Sequence, residues 1–331
     1  MDAWKKMLLA AAAISVVLVG ATLVYFRYFS RRRLMISTTT SLHDTLLLDA
    51  VERDYESNHS VDLNFIPVGT GIAIQQAQNG DVDLTLVHSP SNEKLLLESG
   101  DGVCRKAIAY NFFTIVGDSS DPAGIQGLNA TAALDKIAKY GSADHAGWLW
   151  VTRGDNSGTH QKEQSLWKLA GYNYSDVSRQ TWYVNASNAM GETLLMTQQF
   201  SAYTLSDIGT YLQFKKDGRI SLSQFVQKEK ALLNVYSVIA VSPTKHPSVS
   251  FNDTIDFIEY LISDECQRLI EGYGAGSYSQ SLFHGAVQPL KQGSPAQVVG
   301  WMREYAFFNG TECPQEYRDG HPELYEKGLT R

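Results

Sequence analysis

The chain has 331 residues, 44% hydrophobic and 19% charged, which is enough to build one large or two medium domains around proper cores. Residues 1–33 carry six bases and one acid, leaving 22 bases against 34 acids, a net of −12, in the rest. So acidic a body excludes a general nucleic-acid surface. A small anion stays admissible, because local donors and helix ends set the potential inside a cleft. Cys104, Cys266 and Cys313 show no C-x-x-C and no metal-ligand spacing, and they allow one disulfide or none.

In chain order, Met7–Phe26 is a run of 20 residues without a charge, flanked by Lys5-Lys6 and Arg27, long enough to cross a bilayer as one helix. Its length and the unbroken Thr22-Leu23-Val24-Tyr25-Phe26 favour a retained anchor over a signal peptide cut after Val19-Gly20-Ala21. Counting charge alone, Arg27 and Arg31–Arg33 outnumber Lys5 and Lys6 and would keep the body in the cytoplasm. Next, Leu34–Thr38 predicts a strand that ends in Thr38-Thr39-Thr40-Ser41 and leads into one helix carrying Leu46, Leu47, Ala50, Val51 and Tyr55. Val61–Val68 alternates as a second strand, ends in Gly69-Thr70-Gly71 and leads into a helix closed by Asn79-Gly80. Leu84–Val87 is a third strand, ending at His88-Ser89-Pro90. Strand, polar turn and helix therefore alternate, which predicts an α/β fold with a parallel sheet.

Further on, Ala107–Val116 and Leu233–Val241 are long apolar runs. Ala130–Lys139 predicts a helix, Gly147–Val151 a buried strand, and Gln161–Ala170 a helix stopped by Gly171. Trp182–Val184 is a short strand, with helices predicted over Ala189–Phe200, Ser206–Phe214, Thr254–Ile262 and Glu265–Ile270. Residues from Gly293 onward give no clear pattern.

Between the strand at Val151 and the helix at Gln161 lies Arg153-Gly154-Asp155-Asn156-Ser157-Gly158-Thr159-His160. One arginine, two glycines, a serine and a threonine at a helix start make an anion cradle, because free N–H groups and hydroxyls all donate. Each donor-rich turn taken alone is a plain helix cap or tight turn. Three of them, after Thr38, after Val68 and after Thr152, each at the C-terminal end of a strand, point together to a ligand, since open α/β sheets bind there. Ser157, His160 and Asp155 invite a hydrolase reading. There is no G-x-S-x-G elbow, however, and Ser157 has no obvious base, so the chain is read as a binding protein and not an enzyme.

These stretches resemble the tungstate-binding proteins of ABC importers. The residues that carry the resemblance are Thr38-Thr39-Thr40-Ser41, Val68-Gly69-Thr70-Gly71, Gly80-Asp81-Val82-Asp83 running into Leu86-Val87-His88-Ser89, and Tyr110-Asn111-Phe112. Arg153–His160 with Glu163, Leu166-Trp167, Trp182-Tyr183, Met190–Leu194 and Ala202–Asp207 complete it, in order from about Leu34 to Phe283. Ile208 departs from the pattern, standing where that family has an arginine, and the residues beyond about Gly285 lie outside the resemblance. The resemblance implies a two-lobed type II periplasmic-binding-protein fold, each lobe a central sheet flanked by helices, behind an N-terminal transmembrane segment at 1–33. Lobe I is expected at 34–111 plus 237–331 and lobe II at 112–236.

It also implies a body outside the cytoplasm, held at the cell membrane, that captures tungstate or molybdate between the lobes and delivers it to an ABC permease and its ATPase, with no cofactor. Phosphate carriers and membrane-anchored anion sensors are the alternatives. Tungstate is a fully deprotonated tetrahedral dianion, so its site needs only donors. Three helix starts supply about +0.5 charge each. Arg153 adds one more as the cation bridging the lobes. The residues expected to hold the anion are Thr39, Thr40 and Ser41, with Ser41 as the helix cap, then Thr70 and the Gly71 N–H, then Arg153, Ser157, Gly158 and Thr159. Asp155 is expected to orient Arg153. His88 stands where phosphate carriers place a proton-accepting carboxylate, which tilts the ligand away from hydrogen phosphate. His88 itself reads more simply as a satisfied histidine.

Overall fold

The first strand, β1 (Arg32–Thr39), sets the layout. Leu34 and Ile36 are fully buried on one face, and hydroxyls cluster at its C-terminal end. The computed structural model describes residues 32–143 and 147–326, with Trp4, 13–16 and 18–20. β2 (Val61–Val68) and β3 (Leu84–Val87) flank β1 in parallel, Thr39 opposite Val68 and Thr38 opposite Leu86. Their C-terminal ends therefore lie side by side. The helices that follow them, α1 (Thr40–His43), α2 (Leu47–Asn58), α3 (Thr70–Asn79) and α4 (Pro90–Glu98), start from this one edge or close to it.

β4 (Gly102–Gly117) is the long element joining two half-sheets. Its first part pairs with β9 (Leu233–Val241), Phe112 opposite Leu233 and Gly102 opposite Val241, and β9 pairs in turn with β3. Its last part pairs with β7 (Tyr203–Asp207) and β8 (Ser223–Val226). Beyond β7 lie β5 (Trp150–Thr152) and β6 (Tyr183–Asn185), parallel to one another, with β5 also parallel to β7. Around this second half-sheet pack α5 (Ala130–Ser142), α6 (Gly158–Leu169), α7 (Tyr174–Val177), α8 (Met190–Gln199) and α9 (Ile208–Lys216). The chain then returns through β9 to α10 (Phe251–Ile262) and α11 (Asp264–Gly272) on the first half. Two separate apolar cores follow from this division. One is built on Leu34, Leu84, Val238 and Phe257, the other on Ile115, Leu134, Trp150 and Trp167. The α/β expectation is met, but the sheet is mixed and not purely parallel, because β9 runs antiparallel to β3 and β4, and β4 antiparallel to β7.

Several local expectations are corrected. The single helix after Ser41 is two, because Leu46 adopts a left-handed φ of 61° and breaks it before α2. The buried strand before Arg153 is only Trp150–Thr152, and Trp148 is 47% exposed. Ser206 and Asp207 belong to β7 and not to the helix after it. All three cysteines are free and buried. The tail forms α12 (Ala275–Tyr278), β10 (His284–Gly285), α13 (Val287–Gln292), α14 (Ala296–Ala306) and α15 (Glu323–Glu326). Met7–Phe26 falls largely outside the described residues. Among those described, no helix is long and apolar enough to cross a membrane.

Candidate functional site

On the first half the cleft edge is made where β1 and β2 end. Thr39 is the N-cap of α1, its Oγ1 accepting from Leu42 N–H at 3.3 Å. Ser41, expected as that cap, is the second residue of the helix. The chain turns into α1 earlier than the sequence suggests, and this frees the Ser41 hydroxyl to approach His88 Nε2 at 3.5 Å. Thr40 opens α1 half-buried, and Thr38 Oγ1 donates back to Leu86 O at 3.1 Å, tying β1 to β3. Thr70 is the first residue of α3, behind a Gly69 N-cap that offers no side chain, so the amides of this turn have no side-chain acceptor. Thr70 Oγ1 is buried without a hydrogen-bond partner. Gly71 is open on the side where a Cβ would point.

On the second half, parallel pairing brings the ends of β5, β6 and β7 to one edge, with Arg153, Asn185 and Asp207 at the three C-termini. α6 is fixed against this edge by Glu163. Its buried carboxylate accepts from Trp150 Nε1 at 2.7 Å, Thr152 Oγ1 at 2.6 Å, Tyr183 Oη at 2.7 Å and Trp167 Nε1 at 3.3 Å. Burial pushes Glu163 up to about 7, and these four bonds oppose that shift. Held this way, α6 presents its first turn to the cleft. Ser157 is its N-cap, accepting from His160 N–H at 3.4 Å, and Thr159 Oγ1 is buried without a partner.

Arg153 is 5% exposed, and its Nη2 donates to Asp155 Oδ2 at 2.5 Å while its Nε has no partner. Asp155 Oδ1 accepts from Ser157 N–H at 3.1 Å, so this carboxylate holds both the arginine and the turn. Burial would raise Asp155. The Ser157 hydrogen bond and Arg153 outweigh burial and hold it below its usual value. His160 folds back into the protein. Its Nδ1 accepts from Asn156 N–H at 2.9 Å and its Nε2 meets Tyr174 Oη at 2.6 Å, so both ring nitrogens are engaged, one in the turn and one on α7.

His88 is the residue that joins the two sides. It is 5% exposed, faces Ser41, and lies so close to α6 that a Cβ on Gly158 would sit 2.4 Å from its Cε1. Burial lowers it to about 4, with the charges of Lys162 and Arg153 adding, so its imidazole is uncharged at neutral pH. Its ring hydrogen-bonds Asn234 and approaches Ser41, as expected of a satisfied histidine, and it also lines the space beside α6. Asp207 is not among the expected site residues. Its Oδ1 caps α9 through Thr210 N–H at 2.8 Å, its Oδ2 is buried without a partner, and burial raises its pKa against the opposing charge of Arg153. Its position at the end of β7, beside the ends of β5 and β6, is the signal that would have found it.

The structure thus places the expected residues on two facing edges. Thr39, Thr40, Ser41, Thr70 and Gly71 stand on one, and Arg153, Ser157, Gly158 and Thr159 on the other, with His88 against Gly158 between them. Among the described residues no group of three or more His, Cys, Asp or Glu side chains is placed to hold a metal ion.

The chain and its fold are similar to those of known proteins. Residues 30–265 match the family model of the PBP superfamily domain. The tungstate-binding protein TupA of Peptoclostridium acidaminophilum is 36% identical over 253 residues, covering 76% of this chain and 84% of that protein. The solved tungstate-binding protein TupA from Desulfovibrio alaskensis G20 superposes with a TM-score of 0.68 at 35% identity, covering 77% of this chain and 98% of that one. The structure of the tungstate ABC transporter from Geobacter sulfurreducens gives 0.64 at 38% identity, covering 73% and 98%. On sequence and fold together, the chain belongs to the PBP superfamily and, within it, to the family of the TupA tungstate-binding proteins.

Proposed function

We propose that this protein captures tungstate, and molybdate with it, in the cleft between its halves and delivers the anion to an ABC permease and its ATPase. The observation that carries the reading is a set of buried donors without partners, Thr70 Oγ1, Arg153 Nε and Thr159 Oγ1, on the turns where strands end. Each unsatisfied buried polar atom costs about 1–3 kcal/mol. An acceptor-only dianion relieves all of them together. Relatives named for tungstate binding support the choice of anion. We take the halves as two lobes, 34–111 with 237–331 and 112–236, closing on the ligand. Met7–Phe26 tethers the body to the cell membrane on its outer side. Thr39, Thr40, Ser41, Thr70, Gly71, Arg153, Ser157, Gly158 and Thr159 form the anion shell, and His88 closes it as a neutral wall.

Hydrogen phosphate is the second reading, and Asp207 is the observation that favours it, because an ionised Oδ2 accepts the proton that phosphate carries. A protonated Asp207 instead donates to tungstate, and its raised pKa favours that form. Calorimetry of the full chain in detergent with tungstate, molybdate, sulfate and phosphate decides between them. Tight tungstate binding with weak phosphate binding is expected, and tight binding of phosphate alone defeats the proposal. Protease protection on whole cells tests the topology, where a shielded body rules out the receptor role.

A further inference from the structure

Beside the anion turns lies a cavity of about 290 Å³, walled by His88, Ser89, Ser91, Lys162, Ser165 and Tyr305, with Gly158 at its edge. Its chemistry is one-sided. No carboxylate lines it, and it holds one cation and three serine hydroxyls. The nearest acid in sequence, Glu93, is committed elsewhere, to Arg105 at 2.7 Å and to Ser89 N–H at 2.7 Å.

Two helices line this cavity. α4 starts behind Ser89, whose side chain makes no cap, so the Ser91 and Asn92 amides of its first turn have no side-chain acceptor, and α6 lines the space with its flank through Gly158, Gln161, Lys162 and Ser165. The cation is Lys162. It is 8% exposed, and its ammonium has one hydrogen bond, to Leu233 O at 2.9 Å, with the Tyr305 ring 4.5 Å away. An ammonium carries three donors. Two are left over toward the cavity, and burial alone lowers Lys162 to about 7, a loss of charge that a bound anion would reverse. A buried cation with spare donors, the start of α4 and the Ser91 hydroxyl, with no acid in the lining, make an anion site by the same logic as the inner cleft.

The geometry points to a second oxyanion site in this cavity, held by Lys162, Ser91 and the first turn of α4, with Ser165, whose hydroxyl donates to Lys162 O at 2.7 Å, on its rim, separate from the Arg153 site. Tyr305 comes from α14, outside the segment 30–265 that the superfamily shares, so this wall is built by the C-terminal extension of this chain. The site takes an inorganic oxyanion of the class that enters the cleft. It concentrates that anion beside the inner shell, with only Gly158 and His88 between the two.

The assignment rests on the oxyanion reading for its choice of probe, and the two fail separately. Titrating the full chain in detergent with tungstate to millimolar concentration is expected to show a tight equivalent and a weaker one. Lys162→Met is expected to weaken the second at least about tenfold and to spare the first, charge-assisted hydrogen bonds being of that size. Ser165 is exposed, so Ser165→Asp keeps the fold while putting a carboxylate on the rim, and it is expected to have the same effect. Arg153→Ala is expected to do the reverse, losing the tight equivalent and keeping the weak one. A single equivalent in the unaltered chain overturns the second site. So does a weak equivalent indifferent to both Lys162→Met and Ser165→Asp, which would mark nonspecific association. Loss of the tight equivalent in Lys162→Met would merge the two sites and overturn it as well. A Lys162-dependent equivalent without any tight one would leave this site standing and remove the proposed function.

Discussion

Gly158 has no side chain where His88 needs the room. A methyl group there would meet the His88 ring at 2.4 Å, and the ring, buried and 5.0 Å from the ring of Tyr236, has little freedom to retreat. The contact runs between the two halves and not within either core. Gly158→Ala is therefore expected to act on closure and not on folding. Overpacking of this kind costs about 1–3 kcal/mol, or roughly 5- to 150-fold in affinity. The check is tungstate affinity beside urea unfolding of the same variant. A fall in affinity with unfolding unchanged within about 0.5 kcal/mol is expected, and a variant that binds as before would show that the two halves do not close through this contact. The residue scale is also where sequence reading reached its limit. Arg153–Thr159 is legible because its donors lie on one continuous turn. The approach of His88 to Gly158 is not, because 70 positions of chain and two separate sheets intervene, and only their packing brings the residues together.

At the scale of elements, strand ends and helix starts were legible because apolar runs and turn residues are local signals. The break at Leu46 and the short β5 were not. Nothing in Leu46 foretells a left-handed backbone, and Trp148 looks as apolar as Trp150 although only the second is buried. The role of Glu163 was equally hidden. It sits inside a helix pattern, and its four donors come from β5, β6 and its own helix. Glu163→Ala strands two buried indole donors, Trp150 Nε1 and Trp167 Nε1, and takes an acceptor from Thr152 Oγ1 and Tyr183 Oη, and is expected to cost at least about 2 kcal/mol of stability. Glu163→Gln keeps an acceptor for them and should cost less, while removing a titration. The raised pKa means that the folded chain binds this proton more tightly than the unfolded chain. The contribution of Glu163 is then full below its ordinary 4.5 and lost as pH rises through about 7. Urea midpoints followed by tryptophan fluorescence between pH 4.5 and 7 should fall less steeply in Glu163→Gln than in the unaltered chain. Parallel curves would show that Glu163 does not titrate in that window.

The whole molecule turns on the place where two strands cross between its halves, Phe112 opposite Leu233. The extension beyond the shared segment covers that place. α14 buries Val299, Met302 and Ala306 against Tyr110, Leu233 and Val235. The same helix reaches the second half through Glu304, which pairs with Lys230 at 2.5 Å, and through Tyr305 beside Lys162. The Lys230 pair is exposed and contributes about 0–1 kcal/mol at most, so the apolar contact must carry the attachment. That makes Met302, fully buried, the decisive residue. Removing a buried methionine side chain costs about 2–5 kcal/mol where the core is packed. Met302→Ala is expected to lose that much in urea unfolding although it lies outside the superfamily segment. Tungstate at 100 times its Kd should return about 2.7 kcal/mol, because an anion that binds only the folded chain stabilises it by mass action. A loss below about 0.5 kcal/mol would make α14 an appendage. A full loss with no recovery on adding tungstate would mean that packing over the crossing strands is needed before the cleft can bind at all.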